Sequence, residues 1–253
     1  MRKINIGAGP TWFEEGWEVL DNAPGKYNET WKHKGKCWDN NLQDSVYDIV
    51  LTSHMLEHVP HFRLEKTISE FNRILKIGGT LRILVPSLTK AAKAYVNKDK
   101  AFFSTSKHYS DHMGIGASFV RILISPGQQT IAISRELDEI FGGYAHLYSF
   151  DFEMLKTLLE KWGFGFVEES EPGQSKIKEL RKMQYLISDG KEYDTSDEFV
   201  KKKSFLKNGK NWHFGGFDKS SAKQLIVEAK KEREEKYNFE KEYEFNKGAR
   251  FNS

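Results

Sequence analysis

The sequence predicts an α/β fold on a mainly parallel sheet, and three observations carry that expectation. The run "KINI" (Lys3–Ile6) leads straight into Gly7-Ala8-Gly9. Two longer runs, "YDIVLTS" (Tyr47–Ser53) and "TLRILVPS" (Thr80–Ser87), are rich in Ile, Leu and Val. Such near-continuous apolar runs suit strands covered on both faces, as parallel strands are. Between them Leu64, Ile68, Phe71 and Leu75 recur at helical spacing, with Gly78-Gly79 as the expected stop. Strand, helix, strand is the unit of a parallel sheet.

The remaining elements follow in chain order. "WEVLD" (Trp17–Asp21) gives a short strand, and Lys36–Trp38 a poor one. A helix is expected from near Ser149, with Asp151 in its first turn and Phe152, Leu155, Leu159 and Trp162 along one side, ending at Gly163. Phe164–Glu168 and Gln184–Ser188 predict two further strands. Residues 87–148 fit no clean period and are rich in His, Gly, Ser and aromatics. A long irregular insert in a compact domain is more often functional than idle. Beyond residue 190 the chain is aromatic and charged, with an amphipathic helix expected over Ala222, Leu225, Ile226 and Ala229.

Composition bounds the function. A chain of 253 residues fits one large domain, or one domain with an appendage. No apolar run approaches the roughly 20 residues that span a bilayer. The first apolar run breaks at Gly7, too early for a secretory signal. The single cysteine, Cys37, has no internal disulfide partner, which fits a reducing, cytoplasmic setting. Residues 191–253 hold 15 of the 39 Lys/Arg and 12 of the 36 Asp/Glu, so this tail carries the whole net charge of +3. Its patch Lys201-Lys202-Lys203 stands among acids, which argues against strong nucleic-acid binding.

A strand that runs into a Gly-x-Gly turn begins many nucleotide sites. Here "INIGAGP", "GWEVLDNAP", "YDIVLTSHMLEHVP" and "LKIGGTLRILVPS" follow one another, and "HLYSFDFEMLKTLLEKWGF" comes later. Together, over roughly residues 3–188, they resemble the class I S-adenosylmethionine-dependent methyltransferases, in particular the type 11-like small-molecule branch. The resemblance implies a doubly wound, Rossmann-like sheet. Residues 1–190 would then form the cofactor-binding domain, with 87–148 covering the acceptor and 191–253 as a charged extension. It also implies methyl transfer from S-adenosyl-L-methionine to a small acceptor, such as a hydroxyl of a sugar, lipid or natural product.

The same resemblance assigns residues. Gly7, Ala8 and Gly9 match the turn beneath the methionine part of the cofactor. Asp21 matches the acid that grips the ribose hydroxyls, a bidentate task for a carboxylate. Asp39, with Asn40 beside it, matches the group that meets the adenine amine. Ser53 and His54 end the fourth strand at the carboxyl edge, where open α/β sheets place ligands. Two departures stand out: Asn5 replaces a frequent acid, and the stretch from Gly9 to Asp21 is short for a full first helix.

"HMLEH" (His54–His58) also spells H-x-x-E-H, a zinc-peptidase signature. In that reading two histidines one helical turn apart share a metal, Glu57 acts on its water, and Glu136 or Glu139 adds a third ligand. Yet the motif follows a strand directly, Pro60 interrupts the helix, and a peptidase leaves "NIGAGP" and "VLDNAP" unexplained. No metal is expected, and Glu57 and His58 read as bonding backbone near the glycine turn. A nicotinamide dehydrogenase fails at Trp12, which stands where the third glycine belongs. A further alternative is a protein that binds the cofactor without turnover and acts through its tail as an interaction module.

His146, in "GGYAHLYSF", lies just before the helix from Ser149, and is expected on the acceptor side of the pocket. An imidazole suits proton removal from a hydroxyl near neutral pH, so His146 is the first candidate base and His54 the second. Tyr95, Tyr109, Tyr144 and Tyr148 flank the insert.

Overall fold

Apolar runs buried on both faces build the centre of the molecule. The structure is a computed structural model that describes residues 1–9, 11–22, 33–103, 107–124, 146–188, 190–194, 212–218 and 223–238. Strands β1 (Lys3–Ile6), β2 (Glu18–Asp21), β3 (His33–Lys34), β4 (Tyr47–Ser53) and β5 (Leu75–Pro86) pair in parallel. β6 (Phe164–Ser170) joins them through β10 (Gln224–Lys231), which runs antiparallel to both β5 and β6. The sheet order is β3-β2-β1-β4-β5-β10-β6. A second sheet pairs β7 (Tyr185–Ser188) with β8 (Lys191–Asp194) and β9 (Trp212–Gly215), all antiparallel.

The order reverses direction between β1 and β4. A ligand crevice opens at such a switch point, outside the carboxyl ends of the strands.

Helix α1 (His61–Ile74) crosses from β4 to β5, and α5 (Phe152–Lys161) precedes β6. Leu64, Ile68 and Phe71 of α1 and Leu155 and Leu159 of α5 bury against Val50, Leu81 and Ile83 on one face of the sheet. The next residues in the pleat, Leu51 and Leu84, point to the other face. There aromatics pack over the strands: Trp17 lies 4.9 Å from Phe217 and meets Trp12 edge-on at 6.0 Å. Asp151 caps α5, its carboxylate accepting from Met154 N at 2.9 Å. No described helix is long and apolar enough to cross a membrane.

Several expectations are corrected. The insert, expected to be irregular, is mostly helical where described: α2 (Leu88–Val96), α3 (Lys100–Phe103) and α4 (Lys107–Leu123). Its period is hidden because α2 buries only Ala91 and Ala94, and because Gly114 (φ +71°) breaks α4 into two helical pieces. Of the helix expected over Ala222, Leu225, Ile226 and Ala229, the last three lie in strand β10, buried on both faces between β5 and β6, and Ala222 lies outside the described residues. The segment beyond residue 190 thus supplies a strand of the main sheet. Gly78-Gly79 does not stop α1, which ends at Ile74; the pair lies within β5, next to a register shift against β4. The weak strand at Lys36–Trp38 is a turn, and β3 lies just before it. Between β1 and β2 the described residues hold no helix.

At the amino edge of the parallel strands, one carboxylate ties four segments together. Glu18 accepts from Arg2 Nε at 2.6 Å, Arg2 Nη2 at 3.1 Å and Tyr47 Oη at 2.9 Å, and lies 2.6 Å from His33 Nε2. Burial alone would raise the Glu18 carboxyl, but hydrogen bonds from Arg2, His33 and Tyr47 outweigh it and hold it down at about 2. A carboxyl depressed in the folded state stabilises fully above its unfolded value, roughly 4.3, and loses that contribution as pH falls through the folded value. The melting temperature should therefore drop between about pH 4.5 and 2, and Glu18→Gln should flatten that drop. Unchanged acid sensitivity in the variant, measured by circular dichroism, would contradict the assignment.

Candidate active site

The glycine turn sits at the switch point. Gly7 and Gly9 take φ of +74° and +75°, a region that side chains disfavour. Gly7 N donates to Leu20 O at 2.9 Å, which fixes the turn to β2. Below it lies Met55: a Cβ on Gly7 would overlap Met55 Cγ and stand 2.7 Å from Met55 Cβ. Above Gly9 the space is open, with no atom within 4 Å of where its Cβ would be. Gly9 N donates to Asp21 Oδ2 at 2.8 Å, so the acid at the end of β2 stands beside that opening. Asn5, at the position of the family's frequent acid, is buried and its Oδ1 accepts no hydrogen bond. An open glycine face, an adjacent carboxylate and an unmet acceptor fit a ligand carrying hydroxyls and an amine.

The adenine candidates are placed differently from one another. Gly35 N donates to Asp21 O at 3.1 Å and brings the chain after β3 alongside the acid. Asp39 is exposed, and its backbone closes a turn with Lys36 through bonds of 3.1 and 3.2 Å. Asn40 is drawn to α1 instead. Its amide donates to Glu70 Oε2 at 3.0 Å, and its oxygen accepts from Arg73 Nη2 at 3.1 Å and Leu42 N at 3.2 Å. Ala8 packs against the aromatic cluster under the second face, and Ser53 ends β4 opposite Leu84.

Beyond Ser53 the chain turns sharply. His54 takes φ of +53°, and its N–H donates to Leu84 O at 2.8 Å. A 3₁₀ turn (Leu56–His58) follows, then Pro60 at the start of α1. His54 and His58 therefore do not share a helical turn, which removes the geometry of the H-x-x-E-H peptidase. Glu136 and Glu139 lie outside the described residues, as do Tyr144, Lys201-Lys202-Lys203 and the side chain of Tyr109.

Glu57 is fully buried. Its side chain does not bond backbone near the glycine turn as expected, and neither carboxylate oxygen makes an aligned hydrogen bond. Oε1 lies 3.2 Å from His54 Nδ1 and 4.0 Å from His58 Nε2. Burial pushes this carboxyl up, yet the neighbouring His54 and then His58 outweigh it, so it stays below the usual carboxylate value. Glu57 O accepts from Leu147 N at 2.7 Å and Tyr148 N at 3.2 Å, which brings His146 to the same spot. The His58 and His146 rings meet edge-on at 5.1 Å. His146 Nδ1 lies 2.9 Å from Ile122 O, and Ser149 Oγ donates to Leu123 O at 2.7 Å, so this loop satisfies carbonyls at the end of α4.

Three groups escaped the sequence reading. Met55 is the floor of the glycine turn, Gln224 Oε1 lies 3.3 Å from His54 Nε2, and the Glu57 carbonyl recruits His146. Each joins segments far apart in the chain, and no local pattern marks them.

Residues 18–83 match the family model described as a methyltransferase domain. No curated protein matches the chain. Among solved structures, a SAM-dependent methyltransferase from Archaeoglobus fulgidus shares 18% identity over 91% of this chain and 86% of its own, at a TM-score of 0.44. CurJ carbon methyltransferase shares 11% over 92% of this chain and 48% of its own, at 0.43. Phosphoethanolamine N-methyltransferase 2 of Haemonchus contortus, in complex with S-adenosyl-L-methionine, shares 14% over 92% and 49%, at 0.42. The chain thus spans about half the length of the last two. The matched residues run from β2 into β5, across the switch point and the turn at His54, so this stretch of the chain is similar to a methyltransferase domain.

Proposed function

We propose that the protein methylates a small acceptor, a hydroxyl of a sugar, lipid or natural product, whose reacting atom enters beside His54 and His146. The observation that carries this reading is the glycine turn at the switch point, open above Gly9 and flanked by Asp21. Gly7, Ala8 and Gly9 would cradle the methionine end, Asp21 the ribose, Asp39 the adenine side, and Ser53 and His54 the edge facing the acceptor. Asn40 is left out because its amide is engaged with α1.

S-adenosylmethionine supplies, when bound, a methyl group already activated on a sulfonium. What remains for the chain is alignment and exclusion of water. A base role for His146 is supported by its tautomer: Nδ1–H is directed at Ile122 O, which leaves Nε2 the unprotonated nitrogen. His54 is the alternative, held between Glu57 and Gln224. A binding module without turnover would share the whole cofactor cradle, and assay against hydroxyl acceptors separates the two.

The two glycines should behave oppositely. Gly7→Ala should destabilise the fold by roughly 2–4 kcal/mol, combining a positive φ with overlap on Met55. Gly9→Val should remain folded yet lose binding of S-adenosylhomocysteine in calorimetry. A variant that binds normally would show that the open face is not the cradle. Asp21→Ala should weaken the same binding by about 1–3 kcal/mol. Wild-type protein that binds nothing at millimolar ligand would overturn the reading.

His146→Ala should lower turnover by roughly a hundredfold while S-adenosylhomocysteine binds as in the wild type. Full turnover in the variant would exclude His146 and leave His54.

A further inference from the structure

We infer that Glu57, His58 and His146 form a site for a divalent transition-metal cation beside the glycine turn. One ligand atom from each of the three lies within 4.8 Å of the others. Proximity alone would carry little. The second observation is the state of Glu57: a carboxylate with no exposure whose two oxygens receive no aligned hydrogen bond. Buried charges in proteins are hydrogen-bonded, paired in good geometry, or bound to metal. His54 Nδ1 stands 3.2 Å from Oε1, but Oε2 has no partner, and a cation between Glu57, His58 and His146 would supply one.

The surroundings are those of a built site. His146 is delivered by two backbone bonds from Leu147 and Tyr148 to the carbonyl of Glu57 itself. Its Nδ1 faces the Ile122 carbonyl at 2.9 Å. Histidines that bind metal usually donate their second ring N–H to such a carbonyl, which fixes the tautomer and turns the other nitrogen to the ion.

The donor set selects the ion. Two imidazoles and one carboxylate suit zinc and its first-row neighbours, and they leave an open coordination position. Magnesium prefers oxygen ligands and is not expected to bind. The arrangement also differs from the peptidase reading of H-x-x-E-H. There both motif histidines bind and the glutamate acts on water; here the glutamate binds, and His54 stands aside at the end of β4.

The open position would take the acceptor oxygen and lower its pKa, so that the proton leaves to solvent or to His54. With the ion bound, His146 is a ligand and not a base. That role rests on the methyl-transfer reading above, whereas cation binding does not.

The test uses the full chain, stripped with a chelator and titrated calorimetrically with Zn²⁺, then with Mg²⁺. One equivalent of Zn²⁺ should bind at micromolar affinity or tighter, and Mg²⁺ should not bind. Co²⁺ in place of Zn²⁺ should give a visible spectrum of tetrahedral or five-coordinate character. His146→Ala and Glu57→Gln should each weaken Zn²⁺ binding at least tenfold, with S-adenosylhomocysteine affinity unchanged in His146→Ala. Should Glu57→Gln fail to fold, His146→Ala in its loop decides alone. Absence of stoichiometric Zn²⁺ in the wild type, or unaltered affinity in His146→Ala, would overturn the site. S-adenosylhomocysteine binding without Zn²⁺ binding would remove the metal and keep the methyl-transfer reading; Zn²⁺ binding without S-adenosylhomocysteine binding would do the reverse.

Discussion

Strand β4 ends in a left-handed turn at His54, and the site is organised around that one residue. A non-glycine residue at φ +53° costs of order 1–3 kcal/mol and persists only where its surroundings fix it. Here the fixing comes from both sides. Its N–H extends the ladder to Leu84, and its ring lies between Glu57 and Gln224. The turn sends Met55 beneath Gly7 and drives Leu56 and Glu57 into the interior. The Glu57 carbonyl then catches Leu147 and Tyr148, so four distant stretches converge on one end of β4.

The two edges of the parallel sheet treat polar groups in opposite ways. At the amino edge the oxygens of Glu18 are met by Arg2, His33 and Tyr47, an arrangement that binds four segments together. At the carboxyl edge, satisfaction fails. The described buried side-chain atoms without a hydrogen bond belong to Asn5, Thr52, Glu57 and Ser118. The first two lie on the adjacent strands β1 and β4, and Glu57 follows β4 directly. Unmet acceptors cost stability wherever they occur. Their concentration at the switch point is what a site that completes its bonding with a ligand would show, and the amino edge supplies the compensating stability.

What could be read from the sequence follows from how local each signal is. β4 and β5 stand out because burial on both faces demands an apolar run, and α1 and α5 because burial on one face demands a period of 3.6. The position of the glycine turn after β1 and of Asp21 at the end of β2 was legible for the same reason, since both are short-range features. β10 was not. Leu225, Ile226 and Ala229 imitate a helical stripe, and only the two antiparallel neighbours, β5 and β6, decide that they form a strand. The insert misled through Ala91 and Ala94, too small to mark a stripe, and through the break at Gly114. His146 was singled out from its place before α5, but its partners Glu57 and His58 are joined to it only by backbone bonds that no spacing encodes.

The late strand also binds the tail to the site. β10 enters between β5 and β6 and carries Gln224 at one end and Glu228 further along. Gln224 meets His54, while Glu228 joins Asp218 in holding the guanidinium of Arg82, which is wholly buried in β5. A buried guanidinium is tolerable only when such partners are present. Arg82 therefore makes the seating of β10 a condition of the folded sheet, and the same seating positions Gln224 against the strained turn. Beyond residue 190 the chain returns from the small sheet to complete the core of the main one and to set Gln224 against His54.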